Sequence, residues 1–201
     1  MNNPIKQLVL ATRNRDKIRE IRSILKQTGI RLCYAEEFER FPEVEEDGTS
    51  LEENAAKKAS QVAQSLGLFA IADDSGLEVD WLGGAPGIFS ARFAGQGATY
   101  EQNNRKLLRL LRGVPAERRT ARFRCVIALA SPQGRIWTVE GKCEGLIAEK
   151  PRGTRGFGYD PVFVVPSLGK TFAELHPTEK NRISHRAKAL QELKKLLAKL
   201  D

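Results

Sequence analysis

A short apolar run, Phe69-Ala70-Ile71, gives way within two residues to the adjacent carboxylates Asp73 and Asp74. Ser75-Gly76 follow at once, then a glycine-rich bend from Gly83 to Gly87. The pattern predicts a strand over 69–73 that delivers paired acids to a sharp turn. Hard carboxylate oxygens in such a place suit Mg²⁺, which takes one or two carboxylates and leaves the rest of its octahedron to water and substrate oxygens. Asp, Ser and Gly are also favoured turn residues, so this segment alone leaves a plain acidic turn open.

The flanking segments alternate between strand and helix signals. Gln7 to Ala11 reads as an apolar strand, and Thr12 to Asp16 as a polar loop. Lys17 to Thr28 reads as a helix, with Ile18, Ile21, Ile24 and Leu25 at helical spacing before Gly29. A second strand is predicted near 31–34. Ser50-x-x-Glu53 opens a helix to Leu66, closed by Gly67, and Thr99-x-x-Gln102 opens another that ends near Gly113. The second half turns to strands over 123–130, 135–140, 144–148 and 161–165, followed by an amphipathic helix from near Ser184. This order predicts a mixed α/β sheet flanked by helices, one domain over 1–201 with two lobes. Ligands in such sheets favour the strand ends.

Composition narrows the class. At 201 residues, 41% hydrophobic and 29% charged, the chain reads as an ordinary soluble globular protein. No run approaches the roughly 18 apolar residues of a membrane span, and the N-terminal apolar stretch is too short for a secretory signal. Cys33, Cys125 and Cys143 form no CxxC, so buried free thiols and a reducing cytoplasm are expected. The net charge of +8 is concentrated over 105–124 and in the C-terminal helix. It admits nucleic acid, a polyanionic small molecule or simple solubility. A nucleic-acid surface over 105–124 is disfavoured, because only Phe123 interleaves the basic residues and no nucleic-acid motif matches.

Several local clusters carry chemistry. Thr12, Asn14 and Lys17 put a hydroxyl, an amide and an ammonium where a strand runs into a helix N-terminus, a ready place for phosphate; an ordinary polar loop is the plainer reading. Gly169-Lys170-Thr171 lacks the upstream glycine of a phosphate-binding loop, and 153–158 lacks dinucleotide spacing. In Phe157-Gly158-Tyr159-Asp160, glycine lets backbone approach a flat ligand and Phe157 offers a stacking face, unless that ring plugs the core. Lys180, His185 and Arg186 form a donor-rich patch that suits carbonyl oxygens on a base edge; a capped helix start with solvated charges is the alternative.

TRNRDK, EEDGTSLEENAAKKA, ADDSGLEVDWLGGAPGIFSARFAG, FGYDPVF and EKNRISHRAKAL, in this order, closely resemble the inosine triphosphate pyrophosphatase family, also called XTP/dITP diphosphatases. The resemblance runs from Leu8 to the final helix. It implies an elongated α/β fold with an active-site cleft between two lobes, and a homodimer. It also implies hydrolysis of ITP, dITP and XTP to the monophosphate and pyrophosphate with Mg²⁺. By motif match, Thr12, Arg13, Asn14, Arg15, Asp16 and Lys17 line the triphosphate, and Lys58 adds a phosphate contact. Glu45 and Asp74 match the metal ligands, Asp74 also matches the proton acceptor, and Ser75 matches a substrate contact. Phe157, Gly158, Tyr159, Asp160, Lys180, His185 and Arg186 match the nucleoside pocket. Arg13 and Asp16 depart from the family pattern, which carries glycine there in many relatives.

The implied mechanism directs water at the α-phosphorus and compensates charge on the departing pyrophosphate, with Lys17 and Lys58 beside the metal. A carboxylate bound to Mg²⁺ is a weak base, so Asp73 is a candidate to share either role with Asp74. A donor-lined pocket would favour 6-oxo over 6-amino purines, since mismatched buried polar groups are strongly rejected.

Overall fold

Capping side chains set the helix starts that position the site. Ser50 Oγ accepts from Glu53 N at 3.1 Å and opens α2 (Leu51–Leu66), which Gly67 closes at φ 65°. Thr99 and Gln102 form a reciprocal capping box on α3 (Tyr100–Leu110), which stops short of Gly113. Asn14 caps α1 (Arg15–Leu25), its Oδ1 accepting from Asp16 N at 3.0 Å and Lys17 N at 3.1 Å. The remaining helices are α4 (Pro177–Ile183), which the sequence pattern did not separate, and α5 (His185–Leu200). The computed structural model describes residues 5–200.

The strands are β1 (Gln7–Leu10), β2 (Arg31–Cys33), β3 (Ala70–Val79), β4 (Thr120–Ala130), β5 (Ile136–Ile147), β6 (Phe163–Val165) and β7 (Lys170–Thr171). They lie in the order β2-β1-β3-β4-β5-β6-β7, with β1 parallel to β2 and β3, and β5-β6-β7 antiparallel. The mixed α/β expectation therefore holds.

Two strands are longer than their sequence signals. The expected turn after the acids is absent: β3 continues through Asp73, Asp74 and Ser75 to Val79. Leu77 and Val79 are fully buried and draw the chain onward as strand. Gly76 permits this, because a Cβ there would lie 2.4 Å from the Gly87 carbonyl oxygen. Likewise 135–140 and 144–148 fuse into β5, where burial alternates through Gly141, Cys143 and Gly145. At Gly145 a Cβ would meet the Phe163 ring at 2.4 Å.

The chain divides into two compact units, one of Met1–Asp74, Cys125–Gly141 and Arg186–Asp201, the other of Ser75–Arg124 and Lys142–His185. The first packs Leu8, Leu10, Ile21, Ile71, Ile127 and Leu190 into one core. The second has its own, richer in aromatics, with Leu77, Leu107, Phe123, Tyr159, Phe163 and Phe172. The unit boundary falls inside β3, between Asp74 and Ser75.

Candidate active site

In the first unit, β3 carries Asp73 and Asp74 to a buried cluster of cations. Asp73 is almost wholly buried, and its Oδ2 lies 2.9 Å from Arg186 Nη2, 3.1 Å from Arg186 Nε and 3.3 Å from Lys17 Nζ. Burial alone would raise its pKa, but Lys17, Arg186 and Lys58 hold it far below the ordinary aspartate range. Asp74, also buried, goes the other way: burial raises its pKa, and Lys58 and Lys17 do not compensate fully. One residue apart, the two carboxylates have opposite electrostatics.

Lys58 projects from α2 with its ammonium 2.8 Å from Glu46 Oε1, 3.0 Å from the Asp73 carbonyl and 3.3 Å from Asp74 Oδ1. Burial works against its charge, yet Asp74, Glu46 and Asp73 together raise its pKa above the usual lysine value. Lys17 donates to the same Asp73 carbonyl at 3.2 Å, so two ammonium groups converge on one peptide oxygen. One turn before Lys58 on α2, buried Asn54 accepts from Gly48 N at 2.9 Å and pins the acidic loop to the start of the helix.

The structure brings Lys17, Lys58 and Asp74 into one cluster. Glu45, the other expected metal ligand, is exposed, and it is the next residue, Glu46, that reaches Lys58. Adjacent acids with no periodic cue give a sequence reader no way to choose between them. Thr12 Oγ1 accepts from Asn14 N at 3.2 Å, so Thr12 and Asn14 shape the loop through its own amides. Arg13 meets Glu43 at 3.2 Å over the Phe41 ring, Arg15 is exposed, and Asp16 pairs with Arg19 at 3.4 Å. Arg186, expected among the base readers, lies in this unit with its guanidinium between Asp73 and Glu20, the latter 2.5 Å away.

The second unit holds the aromatic loop and begins with half-buried Ser75. Phe157 N donates to Asp160 Oδ2 at 2.8 Å, and Lys180 Nζ, buried, meets the same oxygen at 2.5 Å. That ammonium also sits 4.9 Å from the Phe157 ring centre and 5.6 Å from that of Phe172. Gly156, at φ 73°, is required: a Cβ would fall 1.9 Å from Asp160 Oδ2. Tyr159 donates its hydroxyl to Ser90 O at 2.9 Å, and burial raises its pKa. His185 is buried and stacked on Phe123 with ring centres 4.5 Å apart. Lys180 and His185 are thus embedded in protein contacts, which their polar sequence context did not signal.

The basic stretch resolves largely into intramolecular partners. Buried Arg119 donates to the carbonyls of Leu111, Ile147 and Ala148, while Arg122 and Arg124 pair with Glu78, and Arg122 also with Asp80 and Glu144. Cys33, Cys125 and Cys143 are buried thiols outside any disulfide, as expected, and burial pushes the Cys125 thiol up to about 12. Among the described residues no helix is long and apolar enough to cross a membrane, and no cluster of three or more His, Cys, Asp or Glu forms a self-sufficient metal site.

Residues 8–196 match the model of the Ham1 family. The dITP/XTP pyrophosphatase of Desulforamulus reducens is 55% identical over 96% of both chains, and that of Geobacter sulfurreducens is 55% identical over 94% of both. A solved HAM1 protein from Coxiella burnetii superimposes with a TM-score of 0.87 at 44% identity, covering 96% of this chain and 98% of the other. By sequence and by fold alike, this chain belongs to the Ham1 family.

Proposed function

We propose that this protein is a dITP/XTP pyrophosphatase, hydrolysing ITP, dITP and XTP to the nucleoside monophosphate and pyrophosphate with Mg²⁺. The observation that carries the reading is the split pair on β3: Asp73 held charged by Lys17 and Arg186, Asp74 left under-compensated beside Lys17 and Lys58. The named function of relatives 55% identical over nearly the whole chain supports it.

The donor set suits a hard cation. Asp74 is a buried carboxylate with insufficient positive charge around it, and Glu46 shares its lysine. Mg²⁺ asks for one or two carboxylates and takes its remaining ligands from water and phosphate. Asp74 and one of Glu45 and Glu46 would hold it. Bound there, the cation would supply charge compensation on phosphate oxygens.

The chain's own residues do the rest. Lys17 and Lys58 neutralise charge on the triphosphate, and the Thr12–Lys17 loop presents a helix N-terminus to it. By motif match Asp74 also accepts the proton of the attacking water, and as a carboxylate beside the cation it would do so as a weak base. Asp73 serves as an anchor for Lys17 and Arg186, since its carboxylate is already engaged by both. Water attacks the α-phosphorus, and the bond to the β-phosphate oxygen breaks to release pyrophosphate. We assign the base to the Phe157–Asp160 loop of the second unit, where Ser75, Lys180 and His185 also belong.

The partner in this reading is a nucleotide; the intramolecular pairing of Arg119, Arg122 and Arg124 argues against a nucleic-acid surface over 105–124. The three buried thiols support a reducing cytoplasm, and the family resemblance supports a homodimer. Ion chromatography of products from dITP and Mg²⁺ tests the reaction. Expected are dIMP and pyrophosphate in equal amounts; dIDP with orthophosphate would place cleavage at the outer linkage and reject the assignment.

A further inference from the structure

Helix α3 touches the Phe157–Asp160 loop at two consecutive residues. Buried Asn104 donates from Nδ2 to the Gly158 carbonyl at 2.8 Å, across 54 positions of sequence. One helical turn earlier, on the same face, Tyr100 places its ring 6.0 Å from that of Phe157 at 45°. The loop turns back on itself through Asp160 N, which donates to Phe157 O at 3.2 Å, so Gly158 and Tyr159 are the central residues of a turn.

Gly158 sits at φ 61°. Rotation of the peptide between Gly158 and Tyr159 changes ψ of Gly158, which glycine allows freely, and would carry Tyr159 from its negative φ toward positive φ. The cost to Tyr159 and the Asn104 bond together hold that peptide in its orientation. If that peptide rotates, its carbonyl and its N–H change places. For a loop that reads a base, such an exchange swaps an acceptor for a donor, the same difference that separates a 6-oxo from a 6-amino purine. Asp160, Lys180 and Tyr159 are tied by their side chains, but Asn104 is the group bonded to the Gly158 carbonyl.

We propose that Asn104 is a positioning residue for nucleobase selection: by holding the Gly158 carbonyl, it fixes the donor and acceptor pattern that the loop presents to a purine. The inference rests on the reading that this loop receives the base. Asn104 acts in this role through its bond to the Gly158 carbonyl.

The test measures kcat and KM for dITP and dATP in the wild type, Asn104→Asp and Asn104→Ala, with a thermal melt of each. Asp keeps the shape but sets a carboxylate against the carbonyl; Ala removes the tie. Loss of one buried hydrogen bond predicts a KM for dITP raised about tenfold, kcat within about twofold, and a preference for dITP over dATP narrowed about tenfold. A lowered melting temperature with KM and preference both at wild-type values would make Asn104 a packing residue and overturn the proposal. Should both variants fail to fold, Asn104→Ser, smaller and readily solvated, is measured in the same way with the same two outcomes. A wild type that shows no preference for dITP would overturn this proposal together with the reading beneath it, and that failure is visible without any substitution.

Discussion

Each unit of the molecule buries a carboxylate against cations, and the two centres end in different states. In the second unit Asp160 faces Lys180, and the oxygen that meets the ammonium also accepts the Phe157 amide, with aromatic rings around the pair. That centre closes on itself and fixes a loop. In the first unit two carboxylates divide Lys17, Lys58 and Arg186 unequally. Asp73 takes the tightest contacts and is held ionised, whereas Asp74 is left where burial outweighs its cations. A buried charge that its neighbours complete contributes structure, while one they leave under-compensated is ready for a ligand that brings more positive charge.

The largest effect should come from the under-compensated acid. Asp74→Asn keeps the shape and removes the charge, and pyrophosphate release from dITP should fall about 10³-fold, the scale of a lost general base. The stability effect has the opposite direction. A carboxyl whose folded pKa is raised contributes stability that is present below its unfolded pKa and is lost as pH rises through the folded value. At neutral pH its ionised form is therefore a net cost, and the asparagine variant should melt at or above the wild-type temperature. A less stable variant would put Asp74 in the same class as Asp160 and break the contrast.

Asp73→Asn should do the reverse. It leaves Arg186 and Lys17 facing a neutral amide in a buried site, and breaking such a pair costs about 3–5 kcal/mol. Because the folded pKa of Asp73 is depressed, its contribution is present above the unfolded aspartate value of about 3.9 and is lost as pH falls below it. Urea unfolding of the wild type from pH 6 to 3 should show stability declining more steeply than in the variant. Parallel curves would mean that Asp73 anchors nothing.

The sequence reached further into the first unit than into the second. Helix starts were readable in both units because capping is local chemistry: Ser50 in the first and Thr99 in the second announce themselves within four residues. The course of β3 was not, because what carries the strand past Ser75 is the burial of Leu77 and Val79 and the close approach of Gly76 to Gly87, both tertiary effects. Lys17, Lys58 and Asp74 were legible as motif residues, and the structure gathers them. The partners that decide their state, Glu46, Glu20 and Arg186, come from elsewhere in the chain, and no spacing rule links position 73 to position 186. Lys180 and His185 read as exposed donors because their neighbours in sequence are polar; their neighbours in space are Asp160, Phe123, Phe157 and Phe172.

The smallest expected effect sharpens the comparison from the other side. Phe157 is half-buried, with Lys180 near its ring, so it either offers a flat face to a base or merely shields the Asp160–Lys180 pair. Phe157→Ala should raise KM for dITP about tenfold with kcat within about twofold, within the 1–3 kcal/mol range of base–aromatic stacking. Phe157→Leu separates the two roles, since leucine keeps apolar cover over the pair but has no π-face. A leucine variant with the alanine variant's KM identifies stacking as the function of the ring. A leucine variant at the wild-type KM, with alanine alone impaired, makes the ring a lid on a structural ion pair, and the base must then be read by backbone groups of the loop.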